Sequence, residues 1–458
     1  MRVRLIGLAL AALACMAMPA TAQTAPAKLQ VPVTYYTLPN GLKVVLSPDP
    51  AQAIVTVSVY YGIGFRVEPR DRTGFAHLFE HLMFQGSAHA PKGTLIGTVT
   101  ASGGDLNGST RFDFTNYYES VPSNAMERML WLDADRMARP VIDDVVLKNQ
   151  QGVVGNEVKG NVLNQPYGGW PWIDLPMLAN SNWYNSHNFY GDLTQIEAAT
   201  VSDAKSFFSA YYRPNNAVLV VAGGFDPAAA KAMIAHYFGP IARGAPVALP
   251  DISEPVQTAP RRLSRVDPLA PKPGYAIGYH VPPRGTPEWY AMGLLDQILV
   301  QGEDSRLYRA LTKDAKITGD LAGGINDSLG NMFNYRGPML WDVYFTHDPG
   351  RSEAEITKAI DAVIEEVRTH PVSAEELARA RVKMRSALYS NVASSTGLVD
   401  MLAVYALFDD DPAAVNHITD GFDKVTPELM LKVAKDYLRP EGRSTYIIEP
   451  GAAKGDAK

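Results

Sequence analysis

Two histidines and a glutamate lie close together in the segment Thr73-Gly74-Phe75-Ala76-His77-Leu78-Phe79-Glu80-His81-Leu82-Met83-Phe84-Gln85-Gly86. Imidazoles one helical turn apart can ligate a single Zn2+ through ring nitrogens, and a glutamate between them can reach a metal-bound water without being a ligand. Zinc lowers the pKa of such a water to about 7, and the carboxylate takes its proton as the water attacks a carbonyl carbon. The order His77-x-x-Glu80-His81 is the inverted zincin arrangement. A lone histidine on a helix is usually structural; a pair flanking a glutamate, beside an apolar face, is poorly explained that way.

For these side chains to converge, the segment must be helical. Phe75, Leu78, Phe79, Leu82 and Met83 recur at i, i+3, i+4, i+7 and i+8 and make one apolar face. At about 100° per residue, Glu80 lies about 60° to one side of His77 and His81 about 40° to the other, so the three share a second stripe. Thr73 can cap this helix and Gly86 can end it. Catalytic zinc takes three protein ligands plus water, so a third ligand is needed. Glu157 is the best candidate, on a helix through Val153-Val154-Gly155-Asn156-Glu157-Val158 that runs towards Pro166. Val153 and Val154 stand one turn before it, and a carboxylate beside an apolar stripe needs a partner. Spacing alone equally admits a glutamate snorkelling at a helix edge. His89, His187 and His280 are isolated and read as surface or core residues.

Seven prolines fall in residues 246–273: Pro246, Pro250, Pro255, Pro260, Pro268, Pro271 and Pro273. This reads as an extended linker between two halves, 30–245 with the metal motif and 274–452 without it. The halves resemble each other. In the first, the alternating run Ile54 to Tyr60 leads to the helix before Gly86; in the second, Gly274 to Tyr279 leads to a helix before Gly302. Tyr211-Tyr212-Arg213-Pro214 precedes an apolar strand from Ala217, as Tyr437-Leu438-Arg439-Pro440 precedes one from Ser444. Helical stretches such as Glu353 to Val367 complete each half, so the expected class is α+β with two homologous layered domains. At the offset that aligns Gly86 with Gly302, His77, Glu80 and His81 fall on Gly293, Asp296 and Gln297, which cannot rebuild the metal motif.

With 458 residues, 46% hydrophobic and 20% charged, the chain has ample material for cores. A net charge of −6 argues against nucleic acid or anionic membrane as its main partner. Arg2 and Arg4, the apolar run Leu5 to Ala14 and the end Ala20-Thr21-Ala22 read as a signal peptide over residues 1–22. The run is too short to span a bilayer, and no later segment is long and apolar enough, so no transmembrane segment is expected. The mature chain should begin at Gln23 and be exported to the periplasm or secreted. The only cysteine, Cys15, would leave with the leader.

These motifs together resemble the M16 family of metallopeptidases, which takes in pitrilysin, insulin-degrading enzyme and the mitochondrial processing peptidase, and above all its short M16B members. The resemblance covers nearly the whole mature chain. It rests on the His77–His81 box, on Gly103-Gly104-Asp105-Leu106-Asn107-Gly108-Ser109-Thr110 with Asp113 and Tyr117 after it, on Val153 to Glu157, and on Tyr211 to Gly223. It implies one zinc per chain on His77, His81 and Glu157, with Glu80 as general base. It also implies a half-clamshell of two homologous domains, two halves closing a chamber around a peptide or unfolded substrate. The strand carrying Asn107, Gly108, Ser109 and Thr110 would bind substrate by adding a peptide strand to its edge, and Thr110-Arg111-Phe112-Asp113-Phe114 is suitably alternating.

The chain departs from the family pattern in three places. Gly108 stands where Ala is usual. Gln150, seven residues before Glu157, stands where active relatives carry a second glutamate, which bears on how the ligands are oriented. Beyond Ser305-Arg306-Leu307-Tyr308, positions that carry a substrate-contacting Arg and Tyr in the family fall on Thr312 and Gly319. The leading expectation is a zinc endopeptidase. Its partner would be a homologous subunit that supplies the Arg and Tyr, in a heterodimer, with a homodimer as the alternative in which Arg306 or Tyr308 substitutes. A non-catalytic peptide-binding or assembly subunit is the second reading, and another metal-dependent hydrolase the third.

Overall fold

The computed structural model describes residues 29–451. The leader read at 1–22, Cys15 and the mature start at Gln23 lie outside the described residues.

Eleven strands form two sheets among the described residues. The first holds β1 (Thr34–Thr37), β2 (Lys43–Pro48), β3 (Ile54–Tyr61), β4 (Asp105–Thr110), β5 (Thr115–Pro122) and β6 (Ala217–Gly223), in the order β1-β2-β6-β3-β5-β4. The second holds β7 (Arg261–Asp267), β8 (Gly274–His280), β9 (Ala322–Ile325), β10 (Leu340–Thr346) and β11 (Ser444–Pro450), in the order β7-β11-β8-β10-β9. Without β1, the two orders are the same. In each sheet the first strand of this common pattern pairs parallel with the last, β2 with β6 and β7 with β11, and every other pairing is antiparallel. The duplication read from the Arg-Pro placement is thus a repeat of topology.

The central strands are nearly continuous apolar runs because both faces are covered. In the first half, Val55, Val57, Val59 and Leu219 pack against Phe75 and Phe79 of the helix Phe75–Leu82, and against Leu130, Phe207 and Ile234. The opposite face, Val218, Val220 and Ala222, meets Met401 and Tyr405 on the helix Ser395–Phe408 of the second half. In return Ala276, Tyr446 and Ile448 of the second sheet are covered by Trp170, Leu175 and Ala179 of the first half. Each half therefore completes the other's core, and each fully buried apolar side chain contributes about 1.5–3 kcal/mol. At the junction Arg66 Nε lies 2.8 Å from Asp113 Oδ1, both buried. Asp113 also accepts from the Arg336 backbone N–H at 2.8 Å.

Three expectations need correction. The proline-rich stretch is irregular only up to Pro260; between Pro260 and Pro268 seven non-proline residues, each with an N–H, form β7, an edge strand paired with β11. The first strand of the second sheet therefore lies inside the stretch read as a linker. Residues 111–114 do not extend the strand expected to bind substrate: β4 ends at Thr110, and the alternation of Phe112 and Phe114 reflects burial of the β4–β5 turn in the junction between halves. Thr73 does not cap the motif helix. The N-cap is Gly74 at φ 81°, and the Thr73 hydroxyl donates to Gln195 at 2.8 Å.

Candidate metal centre

The helix Phe75–Leu82 is short and is fixed at both ends. At its start the buried carboxylate of Glu68 accepts the Gly74 N–H at 2.8 Å and the Ala76 N–H, taking up donors that a helix start leaves free. Burial pushes the Glu68 carboxyl up, against His187 and these N–H groups, which hold it down. Further along, the Tyr117 hydroxyl of β5 donates to Phe79 O at 3.1 Å. His77 is buried and His81 half-buried.

The two Nε2 atoms of His77 and His81 lie 3.3 Å apart. Glu157, near the end of the helix Asp144–Val158, brings Oε1 to 3.5 Å from His77 Nε2 and Oε2 to 3.2 Å from His81 Nε2. One atom from each residue falls within 4.8 Å of the others, and among the described residues this is the one such group of three. Burial alone would raise the Glu157 carboxyl; hydrogen bonding and charge from the two imidazoles outweigh it and hold the group well below the usual carboxylate range. Two imidazole nitrogens and an ionised carboxylate facing one point are the donor set zinc takes, so these residues fit the ion.

Glu80 stands beside this group and not in it. Its Oε2 accepts the Thr110 hydroxyl at 2.8 Å. Gly108 and Thr110 turn the same way on β4, and a Cβ at Gly108 would sit 3.3 Å from Glu80 Cγ and 3.1 Å from the Phe84 ring, so the glycine leaves Glu80 room. Asn107 is exposed and accepts the Gly108 N–H at 2.9 Å, and Ser109 donates to Asn116 at 2.5 Å. β4 ends the sheet order, so its outer edge has no partner strand.

Other candidates fall elsewhere. Gln150 is buried and donates to Asn149 at 2.8 Å; no hydrogen bond links it to the three clustered residues or to Glu80, so it does not orient them by direct contact. Val153 is exposed, so the stripe before Glu157 is apolar only at Val154. Arg306 is held by Glu376 at 2.9 Å. The spaces around Gly319 are open. His89 pairs with Asp135, His187 with Phe65 O and His280 with Asn180. Asp296, the counterpart of Glu80, is buried and accepts the Trp341 indole N–H at 2.9 Å.

Sequence reasoning missed Glu68 and Tyr190. The Tyr190 hydroxyl donates to Glu157 Oε1 at 3.1 Å, and its ring stands edge-on to His77 at 5.0 Å. Burial, with the Glu157 and Glu80 carboxylates nearby, pushes its hydroxyl up to about 12. The glycine beside it, Gly191, was the one available signal.

Residues 43–166 match the family model described as Insulinase (Peptidase family M16), and residues 198–384 match the one described as Peptidase M16 inactive domain. The chain belongs to the M16 peptidase family. Among its M16 relatives is the zinc protease PqqE of Helicobacter pylori, 23% identical over 90% of this chain and 92% of that protein. The beta subunit of the mitochondrial-processing peptidase of Saccharomyces cerevisiae is 21% identical over 85% of each. A crystal structure of a protease from Helicobacter pylori shares the fold at a TM-score of 0.84 and 23% identity, covering 92% of this chain and all of that one. The periplasmic protease PqqL of Escherichia coli is matched at a TM-score of 0.73 and 17% identity over 93% of this chain but 48% of its own length. This M16 chain thus corresponds to about half of that larger molecule.

Proposed function

We propose that this chain is an exported zinc endopeptidase that cleaves peptides or unfolded segments. The observation that carries the reading is the convergence of His77, His81 and Glu157 with Glu80 held beside an open sheet edge. His77, His81 and Glu157 would hold the ion, which when bound supplies an acidified water and polarises a carbonyl. Glu80 takes the proton of the attacking water and returns it to the leaving amine. Thr110 keeps the Glu80 carboxylate in one orientation. The outer edge of β4 pairs with the extended backbone of a substrate, so selectivity rests on side-chain pockets and on access. The family supports a peptidase, and its relatives are named zinc proteases. Export is supported by the leader pattern at residues 1–22.

The chain would work facing a second M16 half, as its match to half of the larger protease suggests. A homologous subunit carrying the Arg and Tyr absent at Thr312 and Gly319 is the partner we favour, with a homodimer as the alternative. The same two positions favour the second reading, a non-catalytic peptide-binding subunit. Metal analysis of the exported protein with cleavage of a quenched peptide separates the two. One zinc per chain with turnover that a chelator removes supports the peptidase; a metal-free chain that binds the peptide uncleaved supports the other. Purification from the native host with its partners then distinguishes heterodimer from homodimer.

A further inference from the structure

A small cavity of about 30 Å³ lies between the two halves, and buried oxygen atoms without hydrogen bonds face it. Asp342 of β10 is 8% exposed, and its Oδ1 makes no hydrogen bond. Burial pushes its carboxyl up, the carboxylates of Asp327 and Asp296 add to the rise, and backbone N–H groups oppose it. The strongest charges acting on Asp342 are therefore of its own sign, and a buried carboxylate of this kind calls for a cationic partner. Asn326 lines the same cavity. Its side-chain NH2 donates to Asn331 O at 3.0 Å and to Asn334 Oδ1 at 3.1 Å, which fixes the amide and leaves its own Oδ1 buried and unbonded. The residue is held at φ 56°, a conformation uncommon outside glycine, with its N–H on Leu340 O at 3.0 Å. The Ser328 hydroxyl, beside Tyr344, is a third oxygen of this wall. Asp327 is exposed, lines the cavity as well and accepts the Tyr344 hydroxyl at 3.1 Å. The other walls are apolar, Phe112 and Trp172 from the first half and Leu329 and Leu340 from the second.

This cavity borders the metal centre. The Trp172 ring stands edge-on to Phe189 at 5.5 Å and to Tyr190 at 5.7 Å, and those two rings lie 5.2 Å and 5.0 Å from the His77 ring. At about 3.3 Å per residue, an extended chain passes from the metal ligands to the far side of these rings in about three to five residues.

Three oxygens within apolar walls are the complement of an aliphatic cation. Lysine has a hydrocarbon stem that apolar surface covers and an ammonium with three N–H donors and no acceptor. A water molecule brings two donors and no charge, and a metal ion would meet apolar side chains where it needs further ligands. The cavity has room for about two water-sized groups, which suits an ammonium and its neighbouring methylene and is small for a planar guanidinium. Resting on the zinc-peptidase reading above, we propose that this cavity is a substrate subsite for a lysine side chain, with Asp342 and Asn326 as its specificity-determining residues. The stem lies against Trp172 and Phe112, and the ammonium donates to Asp342 Oδ1, Asn326 Oδ1 and Ser328 Oγ. Preferred substrates then carry lysine about three to five residues from the bond that is cut.

The test compares quenched peptides that differ at one position, moved stepwise along either side of the cleaved bond. That position carries lysine, arginine or norleucine, which has the lysine stem without the ammonium. On zinc-loaded wild-type protein, one position should give lysine a kcat/KM about tenfold to hundredfold above norleucine, the worth of hydrogen bonds to a charged group. Asp342→Asn keeps the shape of the side chain and should bring the two peptides within about threefold, while the norleucine peptide is cleaved as by wild type. Fluorescence anisotropy of the labelled peptides on zinc-loaded Glu80→Gln protein repeats the comparison without turnover, with the same ratio expected. Equal cleavage and binding of lysine and norleucine peptides at every position overturns the subsite. So does a lysine preference that survives Asp342→Asn, or arginine cleaved better than lysine. Wild-type protein that takes up no zinc and cleaves neither peptide overturns the peptidase reading; lysine-selective binding by that same protein would still uphold the subsite, and its absence would remove it.

Discussion

The Thr110 hydroxyl donates to Glu80 Oε2 at 2.8 Å, bridging the free edge strand and the helix of the metal motif. The edge strand and the residue proposed as general base are therefore mechanically linked. A hydrogen bond to a charged group is worth about 1.5–3 kcal/mol, roughly a tenfold to hundredfold effect. Thr110→Val should lower kcat by that factor while zinc content stays at one per chain. Parallel assay and metal analysis check this; unchanged turnover would mean Glu80 needs no such support.

Glu80 and His77 should separate by variant. Glu80→Gln keeps the three clustered ligands and should retain zinc while losing about 10²–10⁴ in kcat. His77→Ala leaves two protein ligands and should lose the metal. A Glu80→Gln protein without zinc would make Glu80 a ligand or a structural group.

Glu68 supports the site from behind, through the N–H groups of Gly74 and Ala76. Glu68→Ala leaves those donors buried without a partner and should destabilise the first half by about 2–3 kcal/mol. Urea unfolding followed by tryptophan fluorescence reads the change, and zinc should leave the variant faster. A loss below about 0.5 kcal/mol would show that the helix start is held by packing alone.

Asp296 offers a pH signature away from the metal. Burial pushes its carboxyl up to about 7, with Asp327 adding to the rise and Trp341 and Gln301 opposing it. An acid raised on folding binds more protons folded than unfolded, so stability falls as pH rises from about 4 to about 7. Asn can still accept the Trp341 N–H and carries no charge. Asp296→Asn should match wild type near pH 4 and exceed it by up to about 4 kcal/mol at pH 8. Unfolding curves at the two pH values decide this; a difference that does not grow with pH would place the charge of Asp296 in a compensated environment.

The motif helix was legible because its two stripes are local: apolar spacing and ligand spacing both follow from one 3.6-residue period. The repeat was legible because Arg213-Pro214 and Arg439-Pro440 mark the same turn before the same strand. Glu157 could be suggested but not fixed by spacing, since its approach to His77 depends on how two distant helices pack. Glu68 and Tyr190 belong to no periodic pattern; Glu68 acts through two backbone N–H groups, and Tyr190 through Glu157 and the His77 ring. Prolines at both ends concealed β7, because what matters for an edge strand is the residues between them. Phe112 and Phe114 imitated a strand because burial at a junction produces the same alternation as burial under a sheet.

The parallel pairing of first strand with last has a consequence for how this chain comes into being. β11 lies between β7 and β8, so β7 has no partner in the second sheet until residues 444–450 arrive. The first sheet lacks the cover of Ser395–Phe408 for nearly as long. Contacts of such large sequence separation form late and slowly. The cores of both halves are therefore unfinished until residues 395–450 have been made, and a chain interrupted before them is vulnerable to proteolysis.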